Sequence, residues 1–351
     1  MEFVKVSASK EYNVHIGSGF LDSVGEMISA LKNQGKVVIV SDDNVFQLYG
    51  ERVKASLEKS GFAVLEYVIP NGEESKSAEN FVAIQEFCAE NNITRTDLFV
   101  ALGGGVVGDL TGFVASTYLR GVDFVQIPTT VLAMVDSSVG GKTAINLKAG
   151  KNLCGAFYQP IAVFADCETL DTLPDEIFND GCAEIIKYGM ILDAELLTFL
   201  KDNDIRENIE YVIKRCVEIK RDVVDHDEFE KGERKLLNFG HTIGHAIEKC
   251  SGFKISHGKA VAIGMVIATK GAFGLGFSDD DYSDVLVPIL EKNNLQTTCD
   301  FSADDLYKVT LTDKKRSGGS ISLIVPKEYG LCKIRKVNIE QLKEFIELGL
   351  K

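Results

Sequence analysis

The sequence predicts an α/β domain with a Rossmann-like parallel sheet, followed by a mainly α-helical domain. Short β-branched runs alternate with helical patterns through the first half, as in the βαβ units of a parallel sheet. A glycine-rich turn at 103–108 follows one of these strands. From about residue 175, apolar residues recur mostly at helical spacing. We therefore predict two domains, 1–174 and 175–351, a division that suits a chain of 351 residues.

The composition excludes several classes of protein. A net charge of -14 argues against a nucleic-acid partner, which would require a basic surface. No apolar run approaches the roughly 18 residues of a membrane helix, and residues 1–5 carry charge where a signal peptide would be apolar. The eight cysteines are scattered singly without a Cys-x-x-Cys motif, which is typical of reduced thiols. We therefore expect a cytoplasmic protein with no membrane or nucleic-acid partner.

The first half contains the strands of the predicted sheet. The β-branched run 36–41 is typical of a strand that is buried on both faces. Asp42, Asp43 and Asn44 end this strand and provide capping groups for the helix that follows. The predicted strands are 3–6, 13–16, 36–41, 63–69, 98–102, 124–127 and 161–165, and the predicted helices are 45–60 and 78–91.

The glycine-rich turn indicates a nucleotide site. Gly103, Gly105 and Gly108 fit the pattern Gly-x-Gly-x-x-Gly between a strand and a helix. Glycines at these positions let the backbone approach a pyrophosphate, and the N-terminus of a helix favours anions. The alternative is an ordinary tight turn. The motif also follows two earlier β-α units, so the usual Rossmann order does not apply.

Further polar side chains in the first half indicate an anionic ligand. Thr129 and Thr130 follow the strand 124–127, at the end of a strand where ligands bind in parallel sheets. Lys142, Lys151 and Asn152 lie downstream. In so acidic a chain, clustered lysines favour an anionic ligand, although a solvated loop is the alternative.

The second half is predicted to be mainly helical. Residues 328–330 separate two strand-like segments, which we interpret as a hairpin, and Asn338 is a good N-cap for the last helix. The predicted helices are 183–200, 207–224, 240–250, 258–272, 283–293 and 339–348, and the predicted strands are 321–326 and 331–337.

Three of the five histidines lie between residues 241 and 257. His241 and His245 are four residues apart and share one face of a helix, and His257 follows Ser256, a candidate N-cap. Glu184 completes a His/His/Glu set with His241 and His257, which leaves a position for substrate as in catalytic zinc sites. The alternatives are ordinary hydrogen-bonded histidines and, for Glu184 with Lys187, a surface ion pair.

Basic residues of the second half are candidates to bind the anion. Arg234 and Asn238 are four residues apart just before the histidine helix, and this makes them better candidates than Lys220, Lys314 and Lys315. A nucleotide site, a metal site and anion-binding residues together indicate hydride transfer between a nicotinamide and a metal-bound alcohol.

Five motifs carry a specific resemblance to a known family. They are Gly103-Gly104-Gly105-Val106-Val107-Gly108-Asp109-Leu110-Thr111-Gly112-Phe113, Gln126-Ile127-Pro128-Thr129-Thr130, Asp136-Ser137-Ser138-Val139-Gly140-Gly141-Lys142-Thr143, Ala183-Glu184-Ile185-Ile186-Lys187-Tyr188-Gly189 and Leu237-Asn238-Phe239-Gly240-His241-Thr242-Ile243-Gly244-His245. Over essentially its full length, the chain resembles the 3-dehydroquinate synthase family of the sugar-phosphate cyclase superfamily.

The resemblance implies a role for each matching residue. The implied metal ligands are Glu184, His241 and His257. The implied nucleotide contacts are Asp42, Asn44, Glu73, Lys76, Gly105, Val106, Val107, Gly108, Asp109, Thr129, Thr130, Lys142, Lys151, Thr169, Leu170 and Thr172. The implied substrate and catalytic residues are Arg120, Asp136, Lys142, Lys151, Asn152, Lys187, Lys220, Arg234, Asn238, His245 and Lys314, with Lys315 as the alternative to Lys314.

The resemblance also implies a reaction and an assembly. The substrate would be 3-deoxy-D-arabino-heptulosonate 7-phosphate (DAHP), and NAD with a zinc or cobalt ion would support oxidation, loss of phosphate, reduction and ring closure to 3-dehydroquinate. Arg120 matches an arginine that reaches the substrate phosphate of a neighbouring subunit, which implies a homodimer. Two positions depart from the family pattern: Asn71 replaces an aspartate and Lys259 replaces a glutamate, and the second departure concerns the surroundings of His257.

Alternative functions stay open at this point. They are another sugar-phosphate cyclase, a metal-dependent alcohol dehydrogenase of the same fold, and a non-catalytic nucleotide-binding or regulatory protein. A sister cyclase would be expected to change Asn238 or His245, and both match the dehydroquinate type. A dehydrogenase would not need so many anion-binding residues, and a non-catalytic protein would not need the intact metal-ligand set.

Overall fold

The computed structural model describes residues 1–314 and 320–351, without the side chains of 312–314. The chain forms two compact units, of which the first comprises Met1–Leu173 and Cys216–Glu228 and the second Pro174–Arg215 and Phe229–Lys351. The first crossing between them lies one residue from the division at 174 that the sequence predicts. The segment Cys216–Glu228, however, belongs to the first unit, whereas the sequence assigns it to the helical domain.

A seven-stranded sheet forms the centre of the first unit. Its strands are β1 (Glu2–Ser7), β2 (Glu11–Gly17), β3 (Lys36–Asp42), β4 (Ala63–Ile69), β5 (Leu98–Gly103), β6 (Asp123–Pro128) and β9 (Ala162–Asp166). Their spatial order is β1-β2-β9-β6-β5-β3-β4, and all neighbours are parallel except the antiparallel pair β1 and β2. A separate antiparallel hairpin consists of β7 (Lys142–Leu147) and β8 (Gly150–Phe157). The parallel sheet is as predicted, whereas this hairpin is not predicted from the sequence.

The sheet has a hydrophobic core on each face. Val38 and Val40 of β3 pack in one core, and Val37 and Ile39 pack in the other. Because successive side chains of a strand point to opposite faces, a central strand must be apolar at every position. This requirement explains the continuous β-branched run in the sequence.

The helices of the first unit are α1 (Val24–Ser29), α2 (Asp43–Val45), α3 (Glu51–Lys59), α4 (Ala78–Glu90) and α5 (Gly105–Thr117). The predicted helix 45–60 begins two residues earlier, because the Asp42 carboxylate accepts hydrogen bonds from Asn44 N and Val45 N, each at 3.0 Å. A π-helical turn, Phe46–Gly50, joins α2 to α3.

The second unit is mainly helical, as predicted. Its helices are α6 (Asp175–Leu192), α7 (Ala194–Asp202), α8 (Ile209–His226), which continues into the first unit, α9 (His241–Cys250), α10 (His257–Gly274), α11 (Ser283–Lys292), α12 (Ala303–Lys314) and α13 (Ile339–Gly349). The strands β10 (Ser320–Glu328) and β11 (Leu331–Asn338) pair antiparallel, which confirms the predicted hairpin. Asn338 caps α13 in a capping box with Gln341, also as predicted.

One predicted helix is wrong in its bounds. The sequence predicts a helix at 183–200, whereas α6 begins at Asp175 and ends at Leu192. Asp193 then has extended backbone angles, and its carboxylate accepts a hydrogen bond from Leu196 N at 2.9 Å and starts α7. Glu184 therefore lies in the middle of a long helix rather than at its start.

Among the residues that the structure describes, no helix combines the length and the apolar character that crossing a bilayer requires.

Candidate functional site

Three side chains of the second unit form a cluster that can hold a metal ion. Glu184 lies on α6, while His241 and His257 are the first residues of α9 and α10. The Oε1 atom of Glu184 is 3.4 Å from Nε2 of His241 and 3.8 Å from Nε2 of His257. One candidate ligand atom from each residue lies within 4.8 Å of the others. The structure thus brings together the three metal ligands that the resemblance implies.

Two glycines allow the helix starts to approach α6 and each other. Gly240 precedes α9 with a φ of 78°, and a Cβ atom there would lie 2.5 Å from Cγ of Met265 on α10. A Cβ atom on Gly258 would lie 1.9 Å from the carbonyl oxygen of Asp180 on α6. Any side chain at either position would push the helices apart. The backbone contact at Gly258 therefore brings His257 next to Glu184.

Asp180 fixes the start of α10 from a different helix. Its Oδ1 atom accepts hydrogen bonds from the Ser256 hydroxyl and from Lys259 N, the latter at 3.1 Å. Ser256 occupies the N-cap position, as the sequence predicts, but its own side chain makes no capping hydrogen bond. The Lys259 ammonium lies 2.6 Å from Oε1 of Glu176. Lys259, which departs from the family pattern, therefore pairs with the Glu176 carboxylate. The His257 ring faces a different residue, Glu248.

Both ligand histidines are held through their Nδ1 atoms. Nδ1 of His241 lies 3.1 Å from the Phe239 carbonyl oxygen, and Nδ1 of His257 lies 3.4 Å from Oε2 of Glu248. Because a carbonyl oxygen only accepts, the His241 proton sits on Nδ1 and leaves the Nε2 lone pair directed at Glu184. Such a hydrogen bond is the usual support of a metal-binding histidine.

The electrostatics of the cluster suit a divalent cation. Glu184 Oε1 is buried and accepts no hydrogen bond from any described residue. Burial, together with the positive charge of Lys187, holds the pKa of His241 well below its usual value, so this imidazole is neutral and able to bind metal. Burial lowers the pKa of His257, but the hydrogen bond with Glu248 and the charge of Glu184 outweigh it and raise the pKa overall. A divalent metal ion would satisfy the orphaned carboxylate oxygen, so these residues fit a metal.

Four other candidate residues of the second unit are placed as follows. The ring centroid of His245 lies 5.5 Å from that of His241 and 6.0 Å from that of His257. Arg234 is 1% exposed in the 3-10 turn Glu233–Asn238, and Asn238 Nδ2 donates to Oε1 of Glu230 at 2.6 Å. The predicted catalytic Lys314 ends α12 with its side chain outside the described residues, where its alternative, Lys315, also lies.

The candidate nucleotide residues other than Lys142 and Lys151 lie at the carboxyl ends of the parallel strands in the first unit. From β3 the chain forms β4 on one side and then β5 on the other, which makes a topological switch point at β3 and β5. In parallel sheets, ligands bind at this place. Asp42 and Asn44 follow β3, Glu73 and Lys76 follow β4, residues 105–109 follow β5, Thr129 and Thr130 follow β6, and Thr169, Leu170 and Thr172 follow β9.

The turn between β5 and α5 has the form that a phosphate requires. Gly104 occupies the N-cap position of α5 and provides no side-chain cap for the first N–H groups. A Cβ atom on Gly108 would lie 2.6 Å from Oε1 of Gln126 on β6. The Val107 side chain packs in the hydrophobic core, so only its backbone can face a ligand there. Thr129 Oγ1 is buried without a hydrogen-bond partner among the described residues. These features fit a dinucleotide.

Four nucleotide candidates of the first unit contact one another or neighbouring side chains. Lys76 Nζ lies 2.5 Å from Oδ2 of Asp109, and Asn146 Nδ2 donates to Oε1 of Glu73 at 2.7 Å. Burial raises the pKa of Asp109, and the nearby Lys76 ammonium opposes this shift. The Tyr49 hydroxyl donates to the Thr169 carbonyl oxygen at 3.1 Å. The loop after β4 is therefore joined to the first turns of α5.

The structure pairs some anion-binding candidates of the first unit and separates others. Lys220 Nζ lies 2.8 Å from Oδ1 of Asp136. Lys142 is exposed at the open end of the β7–β8 hairpin, where it pairs with Phe157, and Lys151 is exposed near its turn. At roughly 3.3 Å per residue, the two lysine backbones are on the order of 13 Å apart. The exposed Asn152 has a φ of 56°, and its N–H donates to Oδ1 of Asn146 at 2.9 Å.

Arg120 lies in a strained turn at the end of α5. Leu119 and Arg120 have φ values of 48° and 66°, and both side chains are exposed. Residues other than glycine and asparagine rarely adopt such backbone angles, and the conformational strain costs of order 1–3 kcal/mol per residue. Strain of this kind is common at functional positions.

Three carboxylates that contact site residues or the start of α10 are not among the residues predicted from the sequence. Asp180 caps α10, Glu230 accepts from Asn238, and Glu248 faces His257. Glu248 lies three residues after His245 and seven after His241, on the same face of α9, so helical spacing could have found it. No local pattern indicates the other two, because their partners are distant in sequence or lie in an irregular turn.

Comparisons with known proteins identify the family. Residues 66–180 match the family model for the 3-dehydroquinate synthase N-terminal domain, and residues 181–316 match the model for the C-terminal domain. A 3-dehydroquinate synthase from Clostridium acetobutylicum is 43% identical over 343 residues, which is 96% of each chain.

Two solved structures are similar over nearly the whole chain. One is 2-deoxy-scyllo-inosose synthase complexed with carbaglucose-6-phosphate, NAD+ and Co2+, with a TM-score of 0.90, 28% identity and 99% coverage of each chain. The other is ValA, a 2-epi-5-epi-valiolone synthase from Streptomyces hygroscopicus subsp. jinggangensis 5008, with NAD+ and Zn2+ bound. Its TM-score is 0.86 and its identity is 25%, with coverage of 97% of this chain and 98% of that one.

The two domain models meet at residue 180/181 and together cover most of the chain, and the curated relative extends the match to nearly its full length. The chain therefore belongs to the 3-dehydroquinate synthase family.

Proposed function

We propose that this protein is a carbon–oxygen lyase that converts DAHP into 3-dehydroquinate and phosphate, with catalytic NAD and one zinc or cobalt ion. The observation that carries the proposal is the cluster of Glu184, His241 and His257, with its orphaned carboxylate oxygen, in a chain that belongs to this family. The NAD and metal ions named for the two structural neighbours support the same cofactors.

The two cofactors would be held by different parts of the chain. Glu184, His241 and His257 would hold the metal through one carboxylate oxygen and two Nε2 atoms. The turn between β5 and α5, with Thr129 after β6, would hold NAD. When bound, the metal supplies a Lewis acid for a substrate hydroxyl and NAD supplies a reversible hydride acceptor.

The remaining work falls to the side chains of the chain itself. Arg234 is a buried cation, suited to hold an anionic group of DAHP in a fixed orientation. Lys187 is also buried, and its ammonium contacts Glu184 beside the two ligand histidines. His245 lies beside the ligand histidines without being needed as a ligand, so we assign it a hydrogen-bonding role towards substrate. No strong protein base is required for loss of phosphate, because the substrate phosphate itself can assist that step.

The alternatives differ from this proposal in their products. A dehydrogenase would release NADH in step with turnover, and a sister cyclase would act on another sugar phosphate. The retained Asn238 and His245 and the 43% identity to a curated 3-dehydroquinate synthase favour the proposed reaction over the sister reactions at 28% and 25% identity.

The test is to incubate the purified, zinc-loaded protein with DAHP and substoichiometric NAD. We expect phosphate and 3-dehydroquinate in equal amounts, with no net gain of absorbance at the NADH band, since the hydride is returned within each cycle. NADH that accumulates one-for-one with turnover would instead establish a dehydrogenase, and a lack of turnover of DAHP would contradict the proposal outright.

We also propose a homodimer and a cytoplasmic location. The strained, exposed turn at Leu119 and Arg120 suits an arginine that reaches the phosphate in a neighbouring subunit. None of the eight cysteines forms a disulfide, which suits a reducing compartment. Sedimentation of the wild type, together with mixing of an Arg120→Ala variant and a His257→Ala variant, tests the dimer: each variant alone should be inactive, and mixed dimers should regain part of the activity.

A further inference from the structure

The two ligand histidines are supported by different chemical groups. His241 is held by a backbone carbonyl oxygen, that of Phe239, whereas His257 is held by the carboxylate of Glu248. The Glu248 side chain is buried, and it lies on the opposite edge of the His257 ring from Glu184. The His257 ring therefore has one carboxylate at Nδ1, at 3.4 Å, and a second at Nε2, at 3.8 Å.

We propose that Glu248 is a positioning residue for the metal site, which orients the His257 ring with Nε2 towards Glu184 and increases the affinity for the metal. The inference rests on the proposed function, because it concerns the metal that Glu184, His241 and His257 would hold. Glu248 acts through His257 and contacts neither metal nor substrate.

The position of Glu248 favours this role over a place among the ligands. Glu248, His245 and His257 also lie close enough together to be considered as a metal-binding group. However, Nδ1 is the atom of His257 that faces Glu248, and an ion bound at Nδ1 would displace the hydrogen bond that holds the ring. A metal at Nε2 leaves the Nδ1 proton in place to donate to Glu248, so one ion with Glu248 outside its coordination shell satisfies every group.

The fold encloses the Glu248 side chain more completely than the His257 side chain. Glu248 is in the last turn of α9, one turn after buried Gly244, where α9 packs against Ala260 and Val261 of α10. His257 begins α10 and is the more exposed partner, with 30% of its side chain accessible against 5% for Glu248. The ring of His257 is thus the part able to rotate, and the carboxylate is the fixed part.

The experiment compares two substitutions at Glu248 with one matched control. Glu248→Gln keeps an oxygen that can accept from Nδ1 but removes the charge, and Glu248→Met removes both. Glu176→Gln is the control, because the Glu176 carboxylate lies near the same helix start but pairs with Lys259 instead of a histidine. Zinc affinity is measured by competition with a chromophoric chelator, metal content is measured directly, and the cobalt-loaded proteins are compared by their absorption spectra.

We expect weaker zinc binding by about tenfold in Glu248→Gln and about 100-fold in Glu248→Met, the range typical of such supporting residues. The wild type should hold one ion per chain, and the variants should also hold one ion per chain at saturating zinc. The absorption spectrum of cobalt-loaded Glu248→Met should differ from that of the cobalt-loaded wild type. Glu176→Gln should bind zinc as the wild type does.

Three results would overturn the inference. Zinc affinity within twofold of the wild type in Glu248→Gln would do so, and this variant decides the matter even if Glu248→Met fails to fold. An equal loss of affinity in Glu176→Gln would assign the effect to general charge. Two ions in the wild type and one in the Glu248 variants would make Glu248 a ligand. A wild type that binds no zinc would instead refute the metal site of the proposed function.

Discussion

The Lys187 ammonium lies one helical turn after Glu184 and contacts Oε2 of its carboxylate, which leaves Oε1 facing His241 and His257. Both side chains of this ion pair are 1% exposed. One carboxylate oxygen is therefore neutralised within the helix, and the other is left for a cation. This division keeps the buried Glu184 charge tolerable when no metal is bound.

Replacement of this lysine should make the protein depend on metal for its stability. In Lys187→Met the Glu184 charge stays buried without its partner, so we expect the metal-free protein to lose about 3 kcal/mol of unfolding free energy. Zinc should restore much of this loss, because a bound cation takes over the neutralisation. Thermal unfolding with and without zinc measures the effect. An equal shift on zinc addition in the variant and the wild type would contradict it.

Two histidine substitutions should separate a ligand from its neighbour. We expect His257→Ala to lose metal and activity together, because two protein ligands remain. His245→Ala should keep a full metal content and lose about 100-fold or more in activity, the usual contribution of a positioned acid or base. Metal analysis of both dialysed proteins is the measurement, and full metal content in His257→Ala would refute the ligand assignment.

Substitution of Arg234 should weaken the binding of a substrate analogue much more than the binding of NAD. The buried guanidinium of Arg234 suits an anionic group of the substrate, so Arg234→Met should weaken binding of a phosphonate analogue of DAHP by at least about 30-fold, close to 2 kcal/mol. NAD binding should change little. Lys142 and Lys151 match nucleotide contacts as well as substrate contacts. The comparison variants Lys142→Met and Lys151→Met are therefore expected to weaken the binding of both the analogue and NAD. Calorimetric titration supplies the affinities, and unchanged analogue binding in all three variants would remove these residues from the substrate site.

Asp123 should contribute stability that disappears in acid. Its carboxylate lies 2.6 Å from Lys10 Nζ and 2.7 Å from Lys32 Nζ. Burial raises the pKa of Asp123, but the two lysines outweigh it and lower the pKa below the ordinary value of 3.8. Because the pKa of Asp123 is lower in the folded state than in the unfolded state, its carboxylate stabilises the folded protein at pH values above the unfolded-state pKa. This stability is lost as the pH falls through the folded-state pKa.

We therefore expect Asp123→Asn to lower the unfolding free energy by about 1 kcal/mol at pH 7, and by progressively less as the pH falls below 4. Urea unfolding across this range provides the measurement. Lys10→Met and Lys32→Met should each reproduce part of the loss at pH 7. The same loss at pH 3 as at pH 7 would show that the contribution of Asp123 is not electrostatic.

Local chemistry was sufficient to predict the sheet and to single out the histidines of the candidate metal site. The β-branched run of β3 meets the demand of burial on two faces, and Asn338 and Ser256 mark helix starts within one turn. The histidines of the cluster are close in sequence, and their chemistry is unusual enough to stand out. In each of these cases the information lies in a short window, or in residue types that have few other uses.

Features that depend on distant partners could not be read in the same way. The first turn of α6 is mostly polar and Phe178 is its first buried residue, so the predicted helix starts later than Asp175. The β7–β8 hairpin buries Ile145 against α5 while β8 alternates between exposed and half-buried positions, a weak pattern for a strand. Asp180 caps a helix that begins far along the chain, a relation that no local spacing encodes.

The assignment of Cys216–Glu228 to the first unit bears on how the protein is synthesised. Ser7 N donates to Asp225, the Ser9 hydroxyl donates to Glu228, and Lys220 pairs with Asp136. The parallel sheet can form when residue 173 has left the ribosome, but these contacts must wait until residue 228 has followed. Domains generally fold as units during synthesis, in chain order. Here the first unit is finished only after a part of the second has been translated, so a fragment that stops at Leu173 would lack one of its own segments.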